Sequence, residues 1–324
     1  MNGINFITKV NRLASNNREF FFMVDFDKKK PIVLEKKELR DHNIFFKIGD
    51  KTNYINNKTY HNENIKLKVF PVDKQVYKNS FKSVMNHIKK GDSFLLNLTF
   101  PSEINLNTDL KTIFSISKSK FKLLYNDEFV CFSPESFINI IGDHIYSYPM
   151  KGTISSKVKE AKKKILESEK ETREHNTIVD LIRNDMSMNA KNVIVKRFRY
   201  IETVKNKKES LFQVVSEIEG KLNHEWKNSL GNLLWSILPA GSVSGAPKEK
   251  TLEIIHNNEI DSRGYYSGVF GYFDGANLQS SVAIRFIEKN KNKFFYRSGG
   301  GITSMSDLDS EYNELKKKIY VPIV

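Results

Sequence analysis

Short apolar runs separated by turn-forming residues recur through most of this 324-residue chain, and they limit its fold more than any other feature. The runs at 121–125, 128–132, 136–141 and 144–148 follow one another closely, and each reads as a strand. The first ~70 residues show the same habit: Glu19 to Phe26, Ile44 to Ile48 and Ile65 to Phe70 alternate with Asn/Lys/Asp turns, as strands and hairpins do. Phe94 to Thr99 reads as a buried strand, and further strands are expected at 192–203, 211–219, 266–273, 279–287 and 293–298. Helical spacing is confined to fewer places. Val76, Phe81, Val84, Met85 and Ile88 mark a helix over 74–90, and a long helix is expected over 157–186. Others follow around 224–236, from Pro247 to about His256, and over 307–319. Many antiparallel strands with few helices predict an α+β body. With 39% hydrophobic residues and no repeat or linker, residues 1–324 read as a single domain. Within it, 1–90 form a short N-terminal part and 91–324 carry the motifs.

Composition narrows the function classes. Cys131 is the only cysteine, so no disulfide can form within the chain, which suits a reducing compartment; in the run Phe129 to Phe132 it reads as a small buried hydrophobe. Met1 to Asn5 lacks the charged and apolar regions of a signal peptide, and no apolar run approaches the roughly 18 residues of a membrane span. A soluble, cytoplasmic protein with no membrane partner is expected. The net charge of +14 raises the question of nucleic acid, but the lysines are spread along the chain and mixed with glutamates, as in Lys157 to Lys170. No nucleic-acid partner is expected. A positive field also draws in a small dianionic substrate.

Carboxylates stand where a core face should be. At about 100° per residue, Glu171 and Glu174 fall in the same arc as Ile178, Leu181 and Ile182. In the last helix Glu311 and Glu314 flank the stripe of Tyr312, Leu315 and Ile319. From spacing alone these glutamates read as ordinary salt bridges to nearby lysines; the alternative is magnesium, a hard cation that takes one or two direct carboxylates. His175 has no second histidine at zinc-ligand spacing and reads as a helix-packing residue. Gly299, Gly300 and Gly301, expected between a strand and a helix, form either an anion-binding run of backbone N–H groups or a tight turn. The run Gly241 to Lys248 lacks the Gly-Lys-Ser/Thr ending of a phosphate loop. Lys151, at the end of an apolar strand beside Gly152, reads from the residues alone as a solvated surface lysine; the alternative is partial burial, which would lower its pKa and leave some neutral amine.

Together these segments resemble the chorismate-utilising enzymes: anthranilate synthase component I, aminodeoxychorismate synthase component I, isochorismate synthase and salicylate synthase. The resemblance runs from about Gly91 to the C-terminus, in the family's order. It includes Asn97-Leu98-Thr99, Ser133-Pro134-Glu135, Pro149 to Thr153, Glu174-His175 with Val179 to Asp185, Gly241 to Lys248, Arg263 to Gly268, Ala283-Ile284-Arg285, Gly299 to Ile302 and Glu311-Tyr312. It implies two large antiparallel sheets packed as a sandwich with helices outside. It also implies that Glu174 and Glu314 bind Mg2+ directly, with Glu171 and Glu311 acting through water. Arg285 and Tyr266 would grip the enolpyruvyl carboxylate. Gly299, Gly300, Gly301, Ser242, Thr153 and Lys318 would complete the carboxylate cradle, and Glu135 resembles the family's general acid.

Lys151 separates the branches of the family. Anthranilate synthases typically carry alanine at the matching position, whereas lysine marks the aminodeoxychorismate branch, in which its amine adds at C2 of chorismate as the C4 hydroxyl leaves. The water-activating lysine of the hydroxylating branches would fall near Leu95, which is apolar. The resemblance thus implies amination of chorismate to 4-amino-4-deoxychorismate on the route to p-aminobenzoate and folate, with an anthranilate synthase component I or a non-catalytic chorismate-binding relative as the alternatives. Ammonia would come from a separate glutamine amidotransferase subunit, and a separate aminodeoxychorismate lyase would act downstream. This chain departs from the pattern at several points. Gln213 stands where the family usually has histidine, Ile154-Ser155-Ser156 replaces an Arg/Pro pattern, and Met186-Ser187-Met188 follows Asp185. No counterpart of the tryptophan-binding Leu-Leu-Glu-Ser segment is present, so tryptophan feedback is not expected.

Overall fold

A computed structural model describes residues 1–55, 65–204 and 210–322. Two nine-stranded sheets, antiparallel at every pairing, form the body. The first runs in the order 150–155, 211–221, 144–147, 136–141, 278–282, 269–273, 20–24, 32–35, with Lys191–Val204 on the other edge of Leu211–Lys221. The second runs 245–246, 95–106, 293–302, 286–290, 129–133, 121–125, 44–48, 51–52, with Leu67–Phe70 beside Leu95–Leu106. The chain visits the sheets in blocks: strands between 44 and 133 belong to the second sheet, those between 136 and 221 to the first, and those at 286–290 and 293–302 return to the second.

The layering can be read from single strands. Phe20–Val24 is buried along its whole length, so both of its faces meet a core. Phe20, Phe22 and Val24 join Phe6, Val10, Leu234 and Ile237 of two helices, whereas Phe21 and Met23 join Phe46, Phe129 and Phe286 of the second sheet. The first sheet therefore has helices on one face and its partner sheet on the other. Leu95–Leu106 repeats the arrangement: Leu96, Leu98 and Phe100 pack outward on Tyr77, Phe81, Val84 and Leu315. Leu95, Asn97 and Thr99 take the opposite face. This is the expected sandwich with helices outside.

Several local expectations are corrected. The N-terminal region is not all strand, because Gly3–Ser15 is a helix capped by the Asn2 side chain, which accepts from the Asn5 N–H at 2.9 Å. Residues 56–64 of that region lie outside the described residues. The helix expected over 157–186 is two, Ala161–Glu167 and Glu169–Ser187, divided at Ser168, whose extended backbone and hydroxyl cap the second. A helix at Leu110–Ile116 was not foreseen. The strand expected over 279–287 is also two, Leu278–Val282 and Phe286–Asn290, and Arg285 bridges them with φ +53°. Among the described residues no helix is long and apolar enough to cross a membrane.

Candidate functional site

Pro149 offers no N–H to a ladder, and the chain breaks there. His144–Ser147 and Met150–Ser155 consequently lie end to end along Leu211–Lys221, joined by a bond from the Ser216 N–H to the Pro149 carbonyl at 3.0 Å. Lys151 is the second residue after the break. Gly152 then takes φ +80°, and the pairing slips between Lys151 and Thr153. A Cβ at Gly152 would stand 3.0 Å from Oε2 of Glu171, so glycine here lets the helix Glu169–Ser187 close over Lys151.

Gly299, Gly300 and Gly301 lie inside the strand Lys293–Ile302, paired with Thr99, Leu98 and Asn97, which corrects the expected loop. Their missing side chains serve close approach from both faces of the sheet. A Cβ at Gly300 would meet Oε2 of Glu311 at 3.3 Å and Oε1 of Glu314 at 3.8 Å. One at Gly301 would meet Leu95 at 3.1 Å and Nζ of Lys151 at 3.3 Å. Any larger residue would push these groups apart.

Four glutamates and three lysines thus ring the glycine strand. Nζ of Lys151 donates to Glu174 at 3.2 Å, Lys170 to Glu311 at 2.9 Å, and Lys318 pairs with Glu314 at 2.7 Å. Lys318 also donates to the Gly299 carbonyl at 2.8 Å. Glu174 is buried, as its place in the apolar arc required, and Glu311 is buried although the spacing set it only at the edge of its stripe; Glu171 is half-buried. Burial and the neighbouring charge of Glu174 raise the pKa of Glu171. Lys151 behaves opposite to expectation. Burial alone would lower its pKa, but Glu174, Glu314 and Glu171 together outweigh burial and raise it. The amine therefore rests as an ammonium. Lys318 does carry a lowered pKa, from burial and the charge of Lys151, against the pull of Glu314.

Glu135 lies beyond the ring, held by the Ser242 hydroxyl, which donates to its Oε1 at 2.5 Å. A mainly apolar cavity lined by Phe137, Ile138, Pro149, Ile182 and Ile237 borders both side chains. Burial raises the Glu135 pKa, against the Ser242 bond and the charges of Lys151, Arg285 and Lys318. Nε of Arg285 donates to the Tyr320 hydroxyl at 3.4 Å, and Tyr266 is buried against Phe286. Thr153 stands exposed past the slip in pairing, apart from the ion pairs. His175 packs as expected, its Nε2 2.7 Å from the Ser216 hydroxyl and its pKa lowered by burial to about 4.

Among the described residues no three Asp, Glu, His or Cys side chains gather tightly enough to hold a metal ion as they stand. The donor set nevertheless suits magnesium. It is all carboxylate oxygen, it comes in pairs from two helices, and the ion needs only one or two direct ligands. Four carboxylates against three ammoniums also leave one net negative charge. Two features escaped the sequence. Lys170, four residues before Glu174, had a local signal in that spacing. The bond between Ser242 and Glu135, across 107 residues, had none.

Residues 12–323 match the family model described as chorismate binding enzyme. An uncharacterised PabA-like protein of Pasteurella multocida is 47% identical over 318 residues, covering 98% of each chain. Aminodeoxychorismate synthase component 1 of Bacillus subtilis is 28% identical over 265 residues, 77% of this chain and 55% of that one. Among solved structures, the menaquinone-specific isochorismate synthase of Escherichia coli superposes with a TM-score of 0.74 at 14% identity, covering 97% of this chain and 80% of that one. The last likeness establishes the fold. The chain belongs to the chorismate-binding enzyme family.

Proposed function

We propose that this chain aminates chorismate at C4, giving 4-amino-4-deoxychorismate, with ammonia from a glutamine amidotransferase partner. The placement of Lys151 carries the reading: its amine stands within the carboxylate ring and against Gly301, and apolar Leu95 lines the same spot. The relatives named aminodeoxychorismate synthase component 1 and PabA-like support the reaction and the partner.

Nζ of Lys151 gives its ammonium proton to solvent, to be regained when the amine is freed, and adds at C2. The two ring double bonds shift, and the C4–O bond breaks. Glu135 supplies the proton that turns the leaving hydroxyl into water. Ammonia then adds at C4, the double bonds shift back, and the bond from C2 to Lys151 breaks. The surplus proton on the new amine returns to the Glu135 carboxylate. Chorismate and ammonia give aminodeoxychorismate and water, and the enzyme is restored. Arg285 and Tyr266 hold the enolpyruvyl carboxylate in this scheme, and Lys318 with the glycine strand faces the ring carboxylate. Glu174 and Glu314 would hold Mg2+, supported by Glu171 and Glu311, and the ion would supply positive charge for the ring carboxylate. A separate lyase must then remove pyruvate to give p-aminobenzoate.

Glu174→Gln is expected to raise the magnesium concentration for half-maximal activity about tenfold or more. A titration that matches wild type removes Glu174 from the metal site. The reading itself is tested by incubating the chain with chorismate and magnesium without ammonia, then digesting it for mass spectrometry. The peptide bearing Lys151 should gain the mass of chorismate less one water. The same adduct on another lysine would refute the mechanism.

A further inference from the structure

Arg263 and Glu259 form a buried ion pair that no step above uses. Their side chains are 1% and 4% exposed. Glu259 takes two bonds from the guanidinium, at 2.9 and 2.7 Å, and two from Thr99, whose N–H and hydroxyl donate at 2.8 and 3.0 Å. The rest of the fork reaches main chain: Nη1 donates to the Val243 carbonyl at 2.7 Å and Nη2 to that of Asn97 at 2.6 Å. The face of the guanidinium lies 4.2 Å from the ring of Phe26.

These partners share one property. Thr99 and Asn97 pair with Gly299 and Gly301. Val243 follows Ser242, which holds Glu135. The Arg263 carbonyl accepts from the Tyr266 N–H at 3.0 Å. One fork thus ties together the glycine strand, the loop of the general acid and the turn bearing Tyr266. Burying a full ion pair adds little stability over an apolar pair of the same volume; what a rigid, five-donor fork adds is fixed geometry. We propose that Arg263 and Glu259 are the positioning pair of this site, setting Ser242, Tyr266 and the strand Gly299 to Gly301 against one another without touching substrate. The proposal rests on the chorismate-amination reading.

Arg297 provides a matched control. It is also buried, but its fork answers only Asp261, at 2.8 and 2.9 Å, and Glu288, at 2.7 Å. Arg263→Lys and Arg297→Lys are assayed in the purified chain with chorismate, magnesium and ammonium. Both should lower the melting temperature. Arg263→Lys should also lower kcat/KM about 100-fold, chiefly in kcat, the scale of a misplaced site, while Arg297→Lys stays within about threefold of wild type. The alkaline limb of the Arg263→Lys pH profile should move upward, because Ser242 no longer holds Glu135 charged; Lys151, Arg285 and Lys318 still face it. Methylguanidinium should restore at least tenfold to Arg263→Ala. Where these variants fail to fold, Thr99→Val, which deletes one donor to Glu259, should show the same limb shift with about a fivefold loss.

An Arg263→Lys chain with the activity of the control and an unmoved limb overturns the proposal, as does an unmoved limb in Thr99→Val. A wild-type chain that turns over no chorismate defeats instead the reading beneath it.

Discussion

Replacing Lys151 with alanine is expected to lower formation of aminodeoxychorismate by roughly 10³-fold, about 4 kcal/mol of barrier, the scale of a lost covalent nucleophile. The fold should tolerate the change. Lys151 is paired with Glu174 and stands against glycine and leucine, so alanine removes one ammonium from a ring that keeps Lys170 and Lys318. Melting temperature therefore separates a chemical loss from a structural one. Direct attack of ammonia at C2 does not need the lysine, so residual product should shift toward anthranilate. Lys151→Arg should not recover activity, since a guanidinium keeps its proton and cannot act as the nucleophile. Unchanged product and rate in Lys151→Ala would remove this residue from the mechanism.

The second large effect belongs to Glu135. In the proposed mechanism it acts as general acid and must be protonated, a form that its raised pKa favours. Activity should accordingly fall as pH rises through that pKa. Glu135→Gln should cost about 10³-fold in kcat and abolish that limb of the profile, measured from initial rates across pH. Ser242→Ala should act more mildly and in a definite direction. The Ser242 bond favours the charged carboxylate, so its loss raises the Glu135 pKa and moves the limb to higher pH. A limb that persists in Glu135→Gln belongs to another group and refutes the assignment.

How far the sequence carried this account depends on where the determining contacts lie. Strands 121–125 and 136–141 were legible to the residue because each carries its own apolar run between turns. The helix Lys74–Lys89 was equally plain from its spacing. The buried position of Glu174 followed from the same periodicity, since a carboxylate inside an apolar arc must be answered by a partner; that of Glu311, which flanks its stripe, did not. Gly299 to Gly301 misled, because glycine reads as a turn and only pairing with residues some 200 positions away makes it strand. Lys151 misled in sign. Its apolar flanks left burial open without deciding it, and the carboxylates that override burial come from two helices outside that segment. Glu259 and Arg263 stand four residues apart on the sequence, yet what they hold, Thr99, Asn97 and Val243, is set by the tertiary fold.

Product identity tests the account most directly. The purified chain is incubated with chorismate, magnesium and ammonium, and aminodeoxychorismate lyase is then added. Amination at C4 predicts p-aminobenzoate that appears only after the lyase, with little anthranilate. Anthranilate without p-aminobenzoate would place the amination at C2 and contradict the role given to Lys151.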